Sequence, residues 1–239
     1  RSELLNREKR GECTSLGIEP HRSETNRVVI AQCWDWLCAV DKITVLLDYR
    51  LKDKPRFMTL TEAGILGKIG LNEEGLGVCV NTVRCGYSGM GTASMMLYRQ
   101  ILEQKTIVEA LGIITNQRRA GSLHALLADK DMVLSVEFTP DDYAVILPEK
   151  GILCHANHFL SKKFEHFDNN KKGIESTFIR YARTSQMLGS MSGKIGIPEI
   201  KRILGDGNVT VKGEGSNIYK RWGTLRRVII IPAEKKLML

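Results

Sequence analysis

A cysteine on the border between a charged segment and a strand-like segment is the first candidate for chemistry. Cys13 lies within Gly11-Glu12-Cys13-Thr14-Ser15, behind charged residues 7–10 that show no hydrophobic period. If the peptide bond before Cys13 were cut, one residue would carry both a thiol and an α-amine. The amine has a pKa of about 7.7–8.0 and the thiol about 8.5, so the amine can take the thiol proton near neutral pH. Such a cysteine is a self-contained nucleophile and base. The alternative is a small buried hydrophobe near the start of a strand.

Two other polar clusters could complete this site or form a different one. Asp35 lies between two tryptophans at a predicted strand end, where a carboxylate is either paired or faces water. The cluster Cys154-His155-Ala156-Asn157-His158 has no companion ligand pair at zinc-finger spacing, which disfavours a metal site. Adjacent strand residues point to opposite faces, which disfavours a Cys-His peptidase built from Cys154 and His155. Asn157 is better suited to donate its side-chain amide to an oxyanion.

Composition places the chain among ordinary globular proteins. Of its 239 residues 43% are hydrophobic, and 35 Lys and Arg against 27 Asp and Glu give a formal net charge of +8. The basic residues are spread without the aromatic-basic motif of a nucleic-acid module, so we expect no nucleic-acid partner, although a basic surface can steer an anionic substrate. No apolar run reaches membrane-spanning length, so no membrane partner is expected. Six cysteines without a CxxC pair indicate free thiols in a reducing compartment, and the predicted location is the cytoplasm.

Hydrophobic patterning predicts strands, helices, strands, helices and a strand, in that order. The predicted strands are residues 28–34, 43–47, 57–63, 65–71, 76–81, 123–128, 132–138, 143–147, 152–155, 224–231 and 236–239. The predicted helices are residues 94–104, 106–116, 174–188 and 199–204. Thr106 and Glu109 form a capping box, and residues 72–75 read as a hairpin turn. The grouping predicts an α+β layered domain with mostly antiparallel sheets rather than alternating βαβ units.

Six separated blocks of the sequence together resemble one protein family. They are, in chain order, Glu12-Cys13-Thr14-Ser15, Gln32-x-Trp34-Asp35, Leu60 to Asn72, Glu137-Phe138-x-Pro140, His155-x-Asn157-His158 and Arg221-x-Gly223-Thr224-Leu225. The chain is similar to the acyl-coenzyme A:6-aminopenicillanic acid acyltransferase family, also called peptidase family C45, whose members are N-terminal nucleophile hydrolases. The resemblance spans residues 1–239, and its most specific block is residues 61–72.

The resemblance implies a fold, a division of the chain and a maturation step. The implied fold is a four-layer αββα sandwich, with two mostly antiparallel sheets face to face and helices outside. Residues 1–12 are then the remnant of a propeptide or leader that lacks part of the usual pro-region, and residues 13–239 are the hydrolase domain. Autoproteolysis between Glu12 and Cys13 would release the nucleophile.

The resemblance also implies roles for particular residues. The matching catalytic positions are Cys13, Asp35, Asn157 and Arg221. In that assignment Cys13 attacks the substrate carbonyl, Asn157 stabilises the oxyanion, and Asp35 with Arg221 orients the terminus. Two further positions, matched as support for the substrate or the site, are Thr14 and Thr139.

The expected activity is that of a cysteine-dependent amide hydrolase or acyltransferase acting on a linear carbon-nitrogen bond through a thioester. The expected substrate is a small-molecule amide or acyl thioester. No metal and no cofactor are expected, with acyl-coenzyme A left open as a co-substrate. A missing pro-region or second chain and the oligomeric state also remain open. The alternatives are an uncleaved, truncated, non-catalytic member of the same fold and a Cys-His peptidase that uses Cys154 or another cysteine.

The chain departs from the family pattern at several positions. Glu12 stands where a fungal member has glycine, whose conformational freedom helps to strain the scissile bond, so self-cleavage is less strongly predicted here. Cys33 replaces an asparagine beside Asp35, and Lys220 replaces a serine. An Asp-His pair that many members carry near Gly213 is missing.

Overall fold

A computed structural model describes residues 12–167, 176–211, 217, 219 and 221–239, with Glu12 described by its backbone alone. The predicted leader before Glu12 and the departure at Lys220 therefore lie outside the described residues. The strands are β1 (Glu12–Ile18), β2 (Val29–Leu37), β3 (Thr44–Tyr49), β4 (Phe57–Glu62), β5 (Ile69–Asn72), β6 (Gly77–Asn81), β7 (Leu123–Ala128), β8 (Val133–Phe138), β9 (Tyr143–Ile146), β10 (Ile152–His155), β11 (Trp222–Ile231) and β12 (Lys236–Met238). The α-helices are α1 (Ser94–Leu102), α2 (Ile107–Thr115), α3 (Ser176–Gly189) and α4 (Ile197–Leu204).

The strands form two antiparallel sheets. One sheet has the order β10-β1-β2-β11-β12, and the other runs in sequence order from β3 to β9. The first sheet therefore combines strands from the beginning, the middle and the end of the described chain, whereas the second sheet is a meander in which α1 and α2 lie between β6 and β7. Cys13 lies opposite Trp34 on β2, which fixes the register of the first sheet beside the candidate nucleophile.

Alternation along the strands sends apolar side chains to two separate cores. Residues such as Ile30 and Trp34 pack with Val78 and Val80 of the second sheet, and α1 and α2 extend this core on the outer face of that sheet. The intervening residues of the first sheet pack under α3 and α4. Helix, sheet, sheet and helix therefore follow one another, which confirms the predicted four-layer α+β sandwich.

A buried glutamine joins the two sheets beside the site. The Gln32 amide nitrogen donates to the Val80 carbonyl (2.6 Å), and its amide oxygen accepts from the Val80 backbone nitrogen (2.8 Å). The side chain pairs with β6 as a peptide group would, so the buried amide oxygen and nitrogen of Gln32 both have partners. Gln32 of the Gln32-x-Trp34-Asp35 block therefore has a structural role, because it joins the two sheets.

Most predicted elements are present, with shifted ends. The strand at residues 123–128, the capping box at Thr106 and the hairpin turn ending at Gly75, whose φ is +85°, are confirmed. The strand predicted at residues 65–71 is wrong at its beginning, because β5 starts only at Ile69. The chain turns after Glu62 through Gly64, whose φ of +92° breaks the extended backbone. The short 3-10 helices Cys38–Ile43 and Lys162–Phe167 had no sequence prediction.

Candidate active site

Cys13 lies one residue inside β1, with its side chain in the core between the sheets. Only 4% of the residue is exposed, and its Sγ lies 3.9 Å from the backbone oxygen of Asp35. Burial, followed by the negative charge of Asp35, raises the pKa of the thiol to about 11, while Lys68 and Arg180 act in the opposite direction. In the continuous chain the thiol is therefore protonated at neutral pH.

Asn157 contacts the backbone nitrogen of Cys13. The Cys13 N–H donates to Asn157 Oδ1 (2.7 Å), Arg180 donates to the same oxygen (2.9 Å), and Asn157 Nδ2 donates to the Thr82 carbonyl (3.0 Å). Two partners that can only donate and one that can only accept fix the orientation of the amide. Asn157 therefore presents an acceptor to the atom that would become the α-amine.

Arg180 is a site residue that the sequence analysis missed. It extends from α3, is 2% exposed, and donates to the Cys13 carbonyl (2.7 Å) and to Thr14 Oγ1 (2.9 Å) as well as to Asn157. A planar guanidinium can hold several acceptors in fixed directions at once. Its spacing in the sequence could have indicated burial, because Arg180 lies on the same buried face of α3 as Thr177 and Thr184.

Asp35 is fully buried at the end of β2, so the alternative of a water-facing acid is wrong. Thr224 lies opposite it on β11, and the Thr224 hydroxyl donates to Asp35 Oδ1 in a short hydrogen bond. The same hydroxyl accepts from the Val211 backbone nitrogen (3.0 Å), which fixes its donor direction towards Asp35. The Asp35 carboxylate is thus held by the neighbouring strand, while its backbone oxygen faces the Cys13 sulfur.

The remaining predicted residues lie at varying distances from this cluster. Thr14 belongs to it through Arg180. Arg221 precedes β11, and its carbonyl accepts from the Cys38 backbone nitrogen (2.8 Å). Within the described ranges, no hydrogen bond joins the Arg221 side chain to Cys13, Asp35 or Asn157. Thr139 lies in the turn between β8 and β9, where its hydroxyl accepts from the Asp142 backbone nitrogen (3.1 Å).

A buried ion pair from the 61–72 block lies at the same end of the sheets. Lys68 Nζ is 2.8 Å from Glu62 Oε1 and 4.2 Å from the ring centroid of Trp34, the residue opposite Cys13. Its charge favours the Cys13 thiolate. Nothing local in the sequence separates Lys68 from an ordinary surface lysine.

Cys154 and His155 have different partners, as expected for adjacent strand residues. Cys154 Sγ lies 2.8 Å from Ser185 Oγ, whereas His155 Nε2 lies 2.8 Å from Glu137 Oε1. A Cys-His pair built from Cys154 and His155 thus has no support from the geometry. In the part of the chain that the structure describes, no group of three or more His, Cys, Asp or Glu side chains could hold a metal ion. None of the described helices is long and apolar enough to cross a bilayer.

Comparison with known families identifies the class. The model of the family described as acyl-coenzyme A:6-aminopenicillanic acid acyl-transferase matches residues 22–239, so the chain belongs to this family and the resemblance is confirmed. The match begins after Cys13, so the assignment rests on residues 22–239, which include the blocks from Gln32 onwards.

One curated relative matches part of the chain. The acyl-coenzyme A:6-aminopenicillanic-acid-acyltransferase 40 kDa form of Emericella nidulans is 28% identical over 156 residues, which are 64% of this chain and 43% of that protein. The chain thus aligns with less than half of that relative's length.

The solved structures share the fold. The Caenorhabditis elegans orthologue of N-acylethanolamine-hydrolyzing acid amidase has a TM-score of 0.66 at 16% identity, over 92% of this chain and 93% of that one. A mutant conjugated bile acid hydrolase from Clostridium perfringens has a TM-score of 0.62 at 12% identity, over 92% and 86%. Penicillin V acylase from Agrobacterium tumefaciens has a TM-score of 0.57 at 16% identity, over 92% and 80%. The four-layer sandwich is therefore that of the N-terminal nucleophile hydrolases.

Proposed function

We propose that the protein is an N-terminal cysteine amidohydrolase or acyltransferase that acts on a linear amide or an acyl thioester of a small molecule. The observation that supports this most directly is the environment of Cys13. Its nitrogen, its carbonyl and its thiol are contacted by Asn157, Arg180 and the Asp35 backbone, which are far apart in sequence. Any buried backbone N–H needs an acceptor, but the acceptor of Cys13 is a side chain from a segment 144 residues away, whereas the pairing of β1 with β10 begins only at Ser15.

The reaction we propose has two steps. The free α-amine of Cys13 takes the thiol proton, the thiolate attacks the substrate carbonyl carbon, and the carbon-nitrogen bond breaks as the ammonium returns its proton to the leaving amine. A thioester remains on Cys13. Water gives hydrolysis and a second amine gives acyl transfer, and either one releases the thiol. Asn157 Oδ1 orients the amine, and its Nδ2 is the proposed oxyanion donor.

Maturation is part of the same proposal. The Cys13 thiol attacks the Glu12 carbonyl carbon, and its proton passes to the Cys13 nitrogen as the carbon-nitrogen bond breaks, which frees the α-amine. Water then hydrolyses the resulting thioester, which leaves a carboxylate on Glu12 and frees the thiol. Arg180 and Asn157 hold both sides of Cys13 during this shift. We propose a reducing, cytoplasmic setting, because all six cysteines are free thiols.

A second candidate is an uncleaved member of the fold without activity. The buried thiol, whose pKa is about 11 in the continuous chain, favours it. Without release of the amine, no base is present on Cys13 itself.

Intact-mass measurement with N-terminal sequencing, combined with burst kinetics on an activated acyl ester, separates the two candidates. The proposal predicts a chain that begins at Cys13 and a burst of one acyl group per site, both absent in Cys13→Ala. An uncut wild-type chain without a burst supports the inactive candidate. A burst that survives in Cys13→Ala contradicts the proposed nucleophile.

A further inference from the structure

Glu137 is a fully buried carboxylate that plays no part in the reaction just described. It lies on β8 in the seven-stranded sheet, whereas Cys13 lies on β1 of the other sheet. Its Oε1 accepts from His155 Nε2 (2.8 Å) and from the Leu160 backbone nitrogen (2.6 Å), and its Oε2 accepts from the Ser161 backbone nitrogen (3.0 Å). A buried carboxylate with three donors is well compensated for the loss of water.

The three partners of Glu137 bracket the residue that contacts the nucleophile. His155 precedes Asn157 by two positions, and Leu160 and Ser161 follow it by three and four. One carboxylate therefore fastens both ends of residues 155–161, the segment that carries Asn157 across from β10 to the following loop. Between these two anchors, the Asn157 backbone nitrogen donates to Thr177 Oγ1 on α3 (2.7 Å).

The His155 ring is held by one oxygen at each of its two nitrogens. His155 Nδ1 lies 2.7 Å from the Ala156 carbonyl, which can only accept, and Nε2 faces Glu137. Each ring nitrogen of His155 therefore faces an oxygen acceptor, one of which belongs to Glu137. His124 stacks on this ring with centroids 3.5 Å apart. Burial, and then the neighbouring His155, lowers the pKa of His124 well below its usual value, so His124 is neutral.

The same cluster also reaches β1. His124 Nδ1 lies 2.9 Å from Asn81 Oδ1, and the Ser15 hydroxyl donates to that oxygen (2.6 Å) two residues after Cys13. The next residue, Thr82, supplies the carbonyl that accepts from Asn157 Nδ2. The strand that carries Cys13 and the segment that carries Asn157 are therefore both hydrogen-bonded to one buried polar network between the sheets.

We propose that Glu137 is a positioning residue of the active site, which clamps residues 155–161 so that Asn157 Oδ1 meets the Cys13 nitrogen. The effect that we expect Glu137 to have on the acylation rate rests on the proposed function. The fastening of residues 155–161 by Glu137 does not depend on activity, because it is present whether or not Cys13 reacts.

Glu137→Gln is the test, because glutamine has nearly the same shape as glutamate. It replaces one carboxylate oxygen with an NH2 group, which would face a donor instead of accepting from it. Burst amplitude counts competent sites, whereas burst rate per site reports geometry. We expect the rate per site to fall about 10²-fold with unchanged KM, as expected for a small displacement of a catalytic contact. Glu137→Asp, which keeps the charge, should recover part of the rate and serves if the first variant does not fold. A lower amplitude with a wild-type rate would show a merely structural role and overturn the proposal.

Amide hydrogen exchange supplies the second readout and a control. Glu137→Gln should exchange faster than wild type in the peptide that contains residues 155–161. Glu199→Gln is the matched variant, because Glu199 also accepts from a backbone nitrogen, that of Gly196 (3.1 Å), but on α4. It should leave both the exchange of residues 155–161 and the burst rate unchanged. If wild type shows no burst, the proposed function fails, and the exchange result alone decides the clamp. Unchanged exchange in Glu137→Gln then overturns it.

Discussion

At the scale of single residues, the Cys13 thiol and the Cys13 nitrogen have opposite environments in the uncut chain. The thiol is buried near a carboxylate and keeps its proton, whereas the nitrogen already faces the oxygen of Asn157. Cleavage before Cys13 would add an amine at the position where an acceptor is in place. The proposed cleavage would thus give a thiol that is protonated in the uncut chain a base on its own residue.

This contrast predicts the alkylation behaviour of the uncut chain. The thiol pKa is raised to about 11, so the thiolate fraction should increase about tenfold per pH unit between pH 7 and pH 10. Any stability that the neutral thiol contributes is fully present below the unfolded-state pKa of about 8.5 and is lost as the pH rises towards 11. With iodoacetamide at pH 7.5, peptide mapping should show modification of half-buried Cys38 before Cys13. Equal rates at the two cysteines would contradict this account.

Arg180 carries the second prediction at this scale. Arg180→Lys keeps the charge but cannot hold the Cys13 carbonyl, Thr14 and Asn157 together, so the acylation rate should fall about 10²-fold in burst kinetics. Arg183→Lys is the control on the same helix. Arg183 pairs with Asp206 (2.7 Å) and is 37% exposed, so acylation should stay within about twofold of wild type. A wild-type rate in Arg180→Lys would remove Arg180 from the site.

At the scale of elements, two glycines of the 61–72 block, Gly67 and Gly70, lie where the second sheet closely approaches α1. A Cβ added to Gly70 on β5 would lie 2.5 Å from the Met58 carbonyl oxygen and 2.8 Å from Leu102 Cδ1 of α1. Gly67 meets the backbone of the same helix, with Arg99 N at 2.9 Å from an added Cβ. The block therefore packs α1 onto the second sheet while placing Lys68 beside Trp34.

Gly70→Ala should therefore destabilise the fold. Overpacking against a strand carbonyl predicts a loss of about 1–3 kcal/mol in the free energy of unfolding, measured by urea denaturation. Gly189→Ala is the matched control, because an added Cβ there meets nothing within 4 Å and alanine is the better helix former. That variant should be as stable as wild type or more stable by up to about 1 kcal/mol. A Gly70→Ala protein as stable as Gly189→Ala would contradict the tight packing of β5 on α1.

At the scale of the whole molecule, local patterns predicted the elements but not how they meet. The strand at residues 123–128 and the capping box at Thr106 depend on neighbours in sequence, and both were predictable. Arg180 is 167 residues from Cys13, and no local pattern marks that contact. The pairing of Glu137 with His155 across the two sheets is equally long-range. The family resemblance identified Cys13, Asp35 and Asn157, which meet here, whereas the contacts of Arg180 with Cys13 and Asn157 came from the structure.

The most direct test of the central claim is peptide mapping by mass spectrometry of the wild-type protein after brief reaction with an activated acyl ester. The account predicts a peptide that begins at Cys13 and carries one acyl group on Cys13, and no such adduct in Cys13→Ala. An acyl group on another residue, or a Cys13 that stays joined to Glu12 and unmodified, would contradict it.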